Sequence, residues 1–233
     1  MYNVSIHNLT IGYSEKVVQR DLSFALEAGE MVCMLGRNGC GKSALLRTLA
    51  KLQPALGGTF DIADVAVVLT DRLSLENTSV REVVALGRYP YTSFLGTLTE
   101  EDNRIIDEAM RQVTANGQTD EQRLFNSLSD GEKQRVLIAK ALAQQTPVIL
   151  LDEPTAHLDL PNRILVLQLL RRLAHEQEKT ILISTHELDL ALRLSDRILL
   201  LSDNGAELDS AANLKAKDAF TQAFGMNIFD LKI

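Results

Sequence analysis

The fold is decided by the stretch Met31-Val32-Cys33-Met34-Leu35-Gly36-Arg37-Asn38-Gly39-Cys40-Gly41-Lys42-Ser43. The apolar run Met31–Leu35 favours a strand that is buried on both faces. The residues from Gly36 to Ser43 match the pattern G-x-x-x-x-G-K-[ST], and a helical pattern follows over Lys42–Leu52. Such a loop turns successive backbone N–H groups toward phosphate oxygens, and the helix adds its positive N-terminal end. The stretch therefore predicts a phosphate-binding loop.

Every position of this loop is a candidate binding residue. We expect Lys42 to reach the β- and γ-phosphates of a nucleotide and the Ser43 hydroxyl to bind Mg²⁺. Cys40 is interpreted as a small filler of the loop and not as a reactive thiol. The alternative is a glycine-rich turn with a chance Lys-Ser, which average residue usage produces roughly once in a hundred chains. The predicted binding set is Gly36, Arg37, Asn38, Gly39, Cys40, Gly41, Lys42 and Ser43.

Buried strands and helices alternate around this unit. We therefore expect an α/β fold with a largely parallel sheet, in which the apolar runs are strands. The predicted buried strands are Met31–Leu35, Val65–Leu69, Val148–Leu151, Thr180–Ser184 and Arg197–Leu201. The predicted helices that alternate with them are Lys42–Leu52, Glu132–Gln144, Pro161–Gln177 and Leu188–Leu194.

Two parts of the chain depart from this alternation. Val4–Thr10 and Leu22–Leu26 alternate in polarity, which predicts an antiparallel β subdomain at the N-terminus. Residues 72–127 show helical patterns at Ser79–Leu86 and Glu100–Val113, the second with a capping box at Thr99. We predict a single domain over residues 1–233, with a core of about 1–71 and 146–233 and an inserted helical subdomain of about 72–145.

Composition narrows the class of protein. Of the 233 residues, 45% are hydrophobic and 24% charged, as in soluble globular proteins, and the net charge of −7 argues against a nucleic-acid surface. Cys33 and Cys40 are too few for a disulfide framework and match no zinc pattern, so a reducing cytoplasm is expected. No apolar run approaches the roughly 20 residues of a membrane span, and no signal-peptide pattern is expected at the N-terminus.

Two acids and a histidine follow predicted strands. Asp152 and Glu153 end the run Val148–Leu151, and His186 follows Thr180–Ser184. The carboxyl ends of parallel strands share the edge where ligands bind, so these side chains should meet the phosphate loop. We expect Asp152 to hold Mg²⁺ with Ser43, leaving Glu153 to act on an attacking water that His186 helps to position. The alternatives are an acidic helix N-terminus and a histidine in solvent.

One further motif points to a family. Leu128-Ser129-Asp130-Gly131-Glu132 directly precedes a predicted helix, and with the preceding motifs it resembles the ATP-binding cassette of ABC transporters. The resemblance covers nearly the whole chain and implies ATP and Mg²⁺ as ligands. It also implies catalytic roles for Glu153, His186 and Lys42.

The resemblance extends the binding set. It places Tyr13 where an aromatic side chain stacks on adenine and Asp159 in the D-loop, and it makes Ser129, Gly131 and Glu132 nucleotide contacts. The family consensus is Leu-Ser-Gly-Gly-Gln, whereas this chain has Asp130 and Glu132. Ser129 and Glu132 also fit a capping box, and the two interpretations are compatible because a capped helix N-terminus is itself an anion site.

A glutamine of the family is missing. An ungapped count from Val80 places its position at or near Thr70, in Leu69-Thr70-Asp71. By resemblance, Thr70 or Asp71 replaces it as a water-mediated metal contact that couples the core to the membrane subunits.

The resemblance also implies partners. The signature motif faces phosphates bound by another copy, so we expect a head-to-tail dimer with two ATP molecules. Integral-membrane permease subunits would hold it at the cytoplasmic face of the inner (plasma) membrane, and a substrate-binding protein would act indirectly. No nucleic-acid partner is expected.

The segment Val80–Tyr91 resembles the ATPases of importers for iron–siderophore complexes, haem and vitamin B12. Tyr89, Pro90, Tyr91 and Phe94 would then lie near the docking surface for the membrane subunit, or else pack the helical subdomain. An exporter subunit is the nearest alternative. A non-transport cassette, such as a DNA-repair or regulatory ATPase, is another, although the short spacing before the signature leaves no room for a long coiled coil.

Overall fold

The structure is a computed structural model that describes residues 1–14, 16–69, 75–92, 96–114, 120–203 and 205–226. The strands, in chain order, are β1 (Tyr2–Tyr13), β2 (Lys16–Glu27), β3 (Met31–Leu35), β4 (Gly57–Ile62), β5 (Val65–Val68), β6 (Val148–Asp152), β7 (Thr180–Ser184), β8 (Arg197–Ser202) and β9 (Gly205–Asp209). The helices are α1 (Lys42–Leu49), α2 (Val80–Ala85), α3 (Glu100–Val113), α4 (Asp130–Ala143), α5 (Leu160–Gln177), α6 (Leu188–Leu194), α7 (Ala211–Ala216) and α8 (Ala219–Phe224).

The described strands form two sheets. The central sheet has the order β5-β6-β7-β3-β8-β9. Its first five strands, including β3, are parallel, and β9 is an antiparallel edge strand. The other sheet has the order β2-β1-β4 and is antiparallel. The mixed α/β architecture with an antiparallel N-terminal sheet and a helical subdomain is confirmed. The sequence analysis did not predict β4 or β9 as strands.

The central sheet separates two hydrophobic cores. Along β3, Met31, Cys33 and Leu35 belong to the core beneath α5 and the helical subdomain. Val32 and Met34 belong to the other core, which α1 and the antiparallel sheet cover. All of these side chains are buried, as expected for a strand with both faces covered, because successive side chains point to opposite faces.

The helical segments between β5 and β6 pack as a bundle of α2, α3 and α4. Capping boxes begin all three helices, at Ser79, Thr99 and Ser129, and each satisfies backbone donors at a helix start. Residues Leu86–Tyr91 continue α2 as a 3₁₀ helix. Within the described part of the chain, no helix combines the length and apolarity needed to cross a membrane.

Candidate functional site

The phosphate loop joins β3 to α1 at the carboxyl edge of the central sheet. Gly41 is the residue before α1 and has φ +106°, and no side chain caps this helix. Gly36 has φ +154°, and a Cβ there would lie 2.5 Å from the Leu201 carbonyl oxygen and 2.7 Å from the Cys40 sulfur. Both positions need glycine, since a side chain would be strained or would displace the backbone. The loop thus presents backbone N–H groups and an uncapped helix N-terminus.

Cys40 fills the space under this loop. Its side chain is buried, and burial raises the pKa of its thiol. The thiol therefore stays protonated near neutral pH and is a poor nucleophile, because thiolate is the reactive form. The interpretation of Cys40 as a filler agrees with this environment.

Lys42 is a buried cation held over the loop. Its side chain is 6% exposed, and its Nζ donates to the carbonyl oxygens of Gly36 at 2.9 Å and Arg37 at 3.3 Å. Among the described residues no carboxylate pairs with Lys42, so its positive charge is available to an anion. The arrangement suits a phosphate in the loop, where Arg37, Asn38 and Gly39 are exposed.

Ser43 and Asp152 meet as the sequence predicts. The Ser43 hydroxyl donates to Asp152 Oδ1 at 3.2 Å, and Asp152 is the buried last residue of β6. Magnesium prefers hard oxygen ligands and is typically bound by one or two such side chains together with phosphates. The hydroxyl and carboxylate therefore fit this ion.

Ser184 is a residue of the site that the motifs do not indicate. It ends β7 beside Asp152 in register, and its hydroxyl donates to Asp152 Oδ1 at 2.5 Å. The Ser184 hydroxyl oxygen in turn accepts a hydrogen bond from the Glu153 N–H at 2.9 Å. Ser184 thus fixes both acidic residues, and a polar residue at the end of a buried strand is the only sequence signal for it.

Glu153 and His186 form a pair at the same edge. Their Oε1 and Nε2 atoms are 2.8 Å apart, and the side chains are 32% and 45% exposed. Glu153 has φ +48°, a left-handed conformation that is rare for a residue with a side chain. Strained residues of this kind cluster at functional sites when their surroundings hold them. The pair is thus fixed and reachable by water.

Ser129 begins α4 as its N-cap, as the capping-box interpretation predicts. Its N–H and hydroxyl both donate to Glu132 Oε2 at 2.8 Å, and its hydroxyl accepts from the Glu132 N–H at 3.3 Å. These bonds, with an ion pair to Arg123, hold the pKa of Glu132 below its usual value. Ser129 and Asp130 are exposed on this chain. The nucleotide contacts of Ser129 and Glu132 stay predictions.

Gly131 is packed against the start of α5. A Cβ at this position would lie 2.6 Å from the side-chain oxygen of Asn162. Asn162 in turn donates its side-chain amide to Asp159 Oδ1 at 2.7 Å, and Asp159 caps α5. The predicted signature and D-loop residues are therefore joined within one chain.

The remaining predicted residues lie apart from these contacts. Tyr13 ends β1 and is 47% exposed, so its face is available, and its role stays a prediction. Thr70 and Asp71 lie outside the described residues, as does Phe94. Tyr89 and Tyr91 are 68% and 52% exposed.

The chain is similar to ATP-binding proteins of transporters in both sequence and structure. The chain matches the family model "ABC transporter" over residues 19–156. It is 38% identical over 216 residues to the iron(3+)-hydroxamate import ATP-binding protein FhuC of Bacillus subtilis, covering 86% of this chain and 79% of that protein. It superposes with a TM-score of 0.88 on a metal-chelate type ABC transporter in an inward-facing conformation, at 30% identity, covering 97% of this chain and 90% of that chain. A dimeric ATP-binding cassette with ADP and phosphate gives a TM-score of 0.73 at 25% identity, covering 89% of this chain and 98% of that chain.

The strand β3, the loop Gly36–Ser43 and the helix α1, together with Asp152 and Glu153 at the end of β6, define a P-loop ATPase. The last helix of the inserted subdomain, α4, begins at the signature motif, and the family model spans more than half of the chain. The chain belongs to the ABC transporter family, and it is an ATP-binding subunit of that family.

Proposed function

We propose that this chain hydrolyses ATP to power an ABC importer that takes up an iron–siderophore, haem or vitamin B12-like substrate through partner membrane subunits. One observation carries the hydrolytic part, namely that the Ser43–Asp152 contact and the Glu153–His186 pair lie together at one sheet edge. The import part is supported by the similarity of the chain to the iron(3+)-hydroxamate import ATP-binding protein FhuC.

Each group at this edge has a proposed task. Ser43 and Asp152 would hold Mg²⁺, which neutralises charge on the phosphate oxygens when bound. The Glu153 carboxylate orients or deprotonates the attacking water, while His186 holds that carboxylate at 2.8 Å. Lys42 exchanges its two carbonyl partners for phosphate oxygens, so that its charge offsets the charge that develops there.

The second half of the site is proposed to come from another copy of the chain. Ser129 and Asp159 are exposed on the isolated chain, so a second copy of the chain would have access to both. A head-to-tail dimer would bring each Ser129 and Gly131 to the phosphates of the partner, and one similar cassette is a dimer in its solved structure. Glu132 then acts by fixing Ser129, since its carboxylate accepts both Ser129 donors.

Coupling to the membrane is proposed to run through the helical subdomain. Tyr89 presents a large ring to solvent on the 3₁₀ helix, whereas the partly exposed Tyr91 ring lies 4.2 Å from the buried Arg88 guanidinium and its hydroxyl donates to the Gln144 carbonyl oxygen at 2.7 Å. Exposed aromatic side chains on a rigid base favour a protein contact. We propose that this surface contacts the permease subunit. We also propose that Thr70 or Asp71 makes the water-mediated metal contact that couples the core to the membrane subunits.

The test is the variant Glu153→Gln. Loss of general-base help is typically worth about 10²–10⁴ in rate, so turnover should nearly stop. The amide keeps the size of the side chain, so ATP should still bind and trap a dimer that gel filtration detects. Lys42→Ala is the matched control, because it should instead weaken ATP binding and prevent the trap. Wild-type turnover in Glu153→Gln would overturn the proposal.

A further inference from the structure

A loop runs from Glu153, directly after β6, to Asp159, directly before α5. Side-chain contacts join both ends of this loop to one short segment, His186 and Glu187. At the first end, Glu153 contacts His186 at 2.8 Å. At the other end, Arg163 bridges the loop to the next residue of that segment. Its Nε donates to the Leu158 carbonyl oxygen at 2.7 Å, and its Nη1 pairs with Glu187 at 2.5 Å.

The segment that takes both contacts consists of His186 and Glu187, whose carbonyl oxygens also accept from the N–H groups of Leu188 at 3.1 Å and Ala191 at 2.9 Å. Glu187 lies between His186 and α6, and no side chain caps that helix. Its N–H donates to the Thr185 hydroxyl at 3.0 Å, which sets the turn but does not hold the loop. Arg163 is therefore the side chain that ties the far end of the loop to the residue beside His186.

An ordinary surface ion pair is the competing interpretation. The Arg163 and Glu187 side chains are 32% and 31% exposed, and pairs with such exposure typically contribute little to stability. This pair differs because the same guanidinium also binds a backbone carbonyl, so two segments are fixed by one planar group. Its effect should then fall on geometry more than on stability.

We infer that Arg163 is a positioning residue for ATP hydrolysis, acting through Glu187 on the orientation of His186 toward Glu153. The inference rests on the proposed function, because it needs Glu153 and His186 to act on water. Small displacements of reacting groups lower the reaction rate strongly, and a misplacement of about 1 Å can reduce the rate on the order of 10²-fold. Arg163 contacts neither the phosphate loop nor Ser43 among the described residues, so nucleotide binding should not depend on it.

The experiment compares Arg163→Ala with wild type in the complex with the membrane subunits. We expect kcat to fall about tenfold or more, with KM for ATP and the melting temperature nearly unchanged. Arg171→Ala is the matched control, because Arg171 lies on the same helix and makes no ion pair within the ranges that the structure describes. It should leave kcat at the wild-type value.

Two further variants distinguish an effect of the Arg163 contacts on geometry from an effect of its positive charge alone. Arg163→Lys keeps the charge but lacks the planar group that reaches both partners, so it should recover only part of kcat. Glu187→Ala should also lower kcat, and the double variant should be no worse than Arg163→Ala alone, because each single change already breaks the link between the loop and Glu187. Additive losses would overturn the inference.

Failure of the inference can be told from failure of the proposed function. If Glu153→Gln stops turnover and traps the ATP dimer while Arg163→Ala hydrolyses ATP normally, only the role of Arg163 is wrong. If Arg163→Ala in the Glu153→Gln background no longer forms the trapped dimer, Arg163 acts on closure and not on His186. That outcome also contradicts the inference.

Discussion

At the scale of single residues, position 131 needs glycine for a packing reason that the signature motif alone does not show. The sequence interpretation gives it a backbone N–H for a phosphate. In the structure, the absence of a side chain also lets Asn162 pack against α4, because a Cβ would lie 2.6 Å from the Asn162 oxygen. A clash of this size requires the Asn162 side chain or one of the two helices to shift.

We therefore predict that Gly131→Ala lowers ATPase activity mainly by displacing Asn162. Adding Asn162→Ala removes the clashing amide and should restore part of the lost activity, which steady-state ATPase assays of the single and double variants would measure. Asn162→Ala alone is the control for loss of the Asp159 contact. A double variant as inactive as Gly131→Ala would show that the added methyl group blocks something other than Asn162, such as the phosphate that the Gly131 N–H is predicted to contact.

Residues differ in how far the sequence could predict them. Lys42, Ser43 and Asp152 follow from motifs, because local spacing and strand ends fix their position. Ser184 and Arg163 follow from no motif, since their contacts depend on how distant segments meet in the folded chain.

At the scale of elements, α3 is held to the 3₁₀ helix by a buried ion pair. The Arg88 Nε donates to Asp102 Oδ1 at 2.8 Å, and both side chains are less than a tenth exposed. Asp102 also closes the capping box with Thr99, and these hydrogen bonds, followed by that from Arg88, lower the pKa of Asp102 to about 2. Thr99 and Asp102 were predicted as a capping box, whereas the partnership with Arg88 was not.

This pKa predicts an acid-sensitive contribution to stability. A carboxyl with a lowered pKa stabilises the fold above its unfolded value of about 3.9, and the contribution is lost as pH falls toward the folded value. The stability difference between wild type and Asp102→Asn should therefore be largest at neutral pH and shrink between about pH 4 and pH 2. Urea unfolding at several pH values would measure it.

Glu101→Gln is the control for this prediction. Glu101 neighbours Asp102 on α3, but its side chain is 69% exposed and lies 3.6 Å from Arg104. Exposed pairs contribute little, so this variant should match wild type at every pH. A pH-independent difference for Asp102→Asn would mean that the capping bonds alone, and not the charge, stabilise α3.

The elements also show where sequence patterns fail. β3, β7 and α3 have the predicted bounds, because long apolar runs or a capping box mark them. β4 was missed because it begins with Gly57-Gly58 and depends on pairing with β1. The short helices α7 and α8 have too few turns for a clear periodic pattern.

At the scale of the whole molecule, the active groups lie on two separate surfaces. Lys42, Glu153 and His186 lie at the edge of the central sheet, whereas Ser129 begins α4 of the helical subdomain. Only the family resemblance predicts that these two surfaces act on different nucleotides, because no local sequence pattern indicates it. A dimer in which each surface meets the other across the interface is the arrangement that uses both.

Mixing two inactive variants tests that arrangement. Lys42→Ala removes phosphate binding but leaves its own signature surface intact. Ser129→Asp keeps a good N-cap for α4, yet brings a negative charge toward the phosphates of the partner. In a mixed dimer, one site combines an intact phosphate loop with an intact signature, while the other site has both defects.

We therefore predict that an equal mixture regains up to about a quarter of wild-type ATPase activity, because half of the randomly formed dimers carry one working site of two. Each variant alone should be nearly inactive, and the mixture should be assayed after the subunits have exchanged. Ser129→Thr mixed with Lys42→Ala is the control, since threonine keeps both the hydroxyl and the cap. If the mixture is no more active than its separate parts, each chain does not complete the site of its partner, and Ser129 acts only as the cap of its own helix.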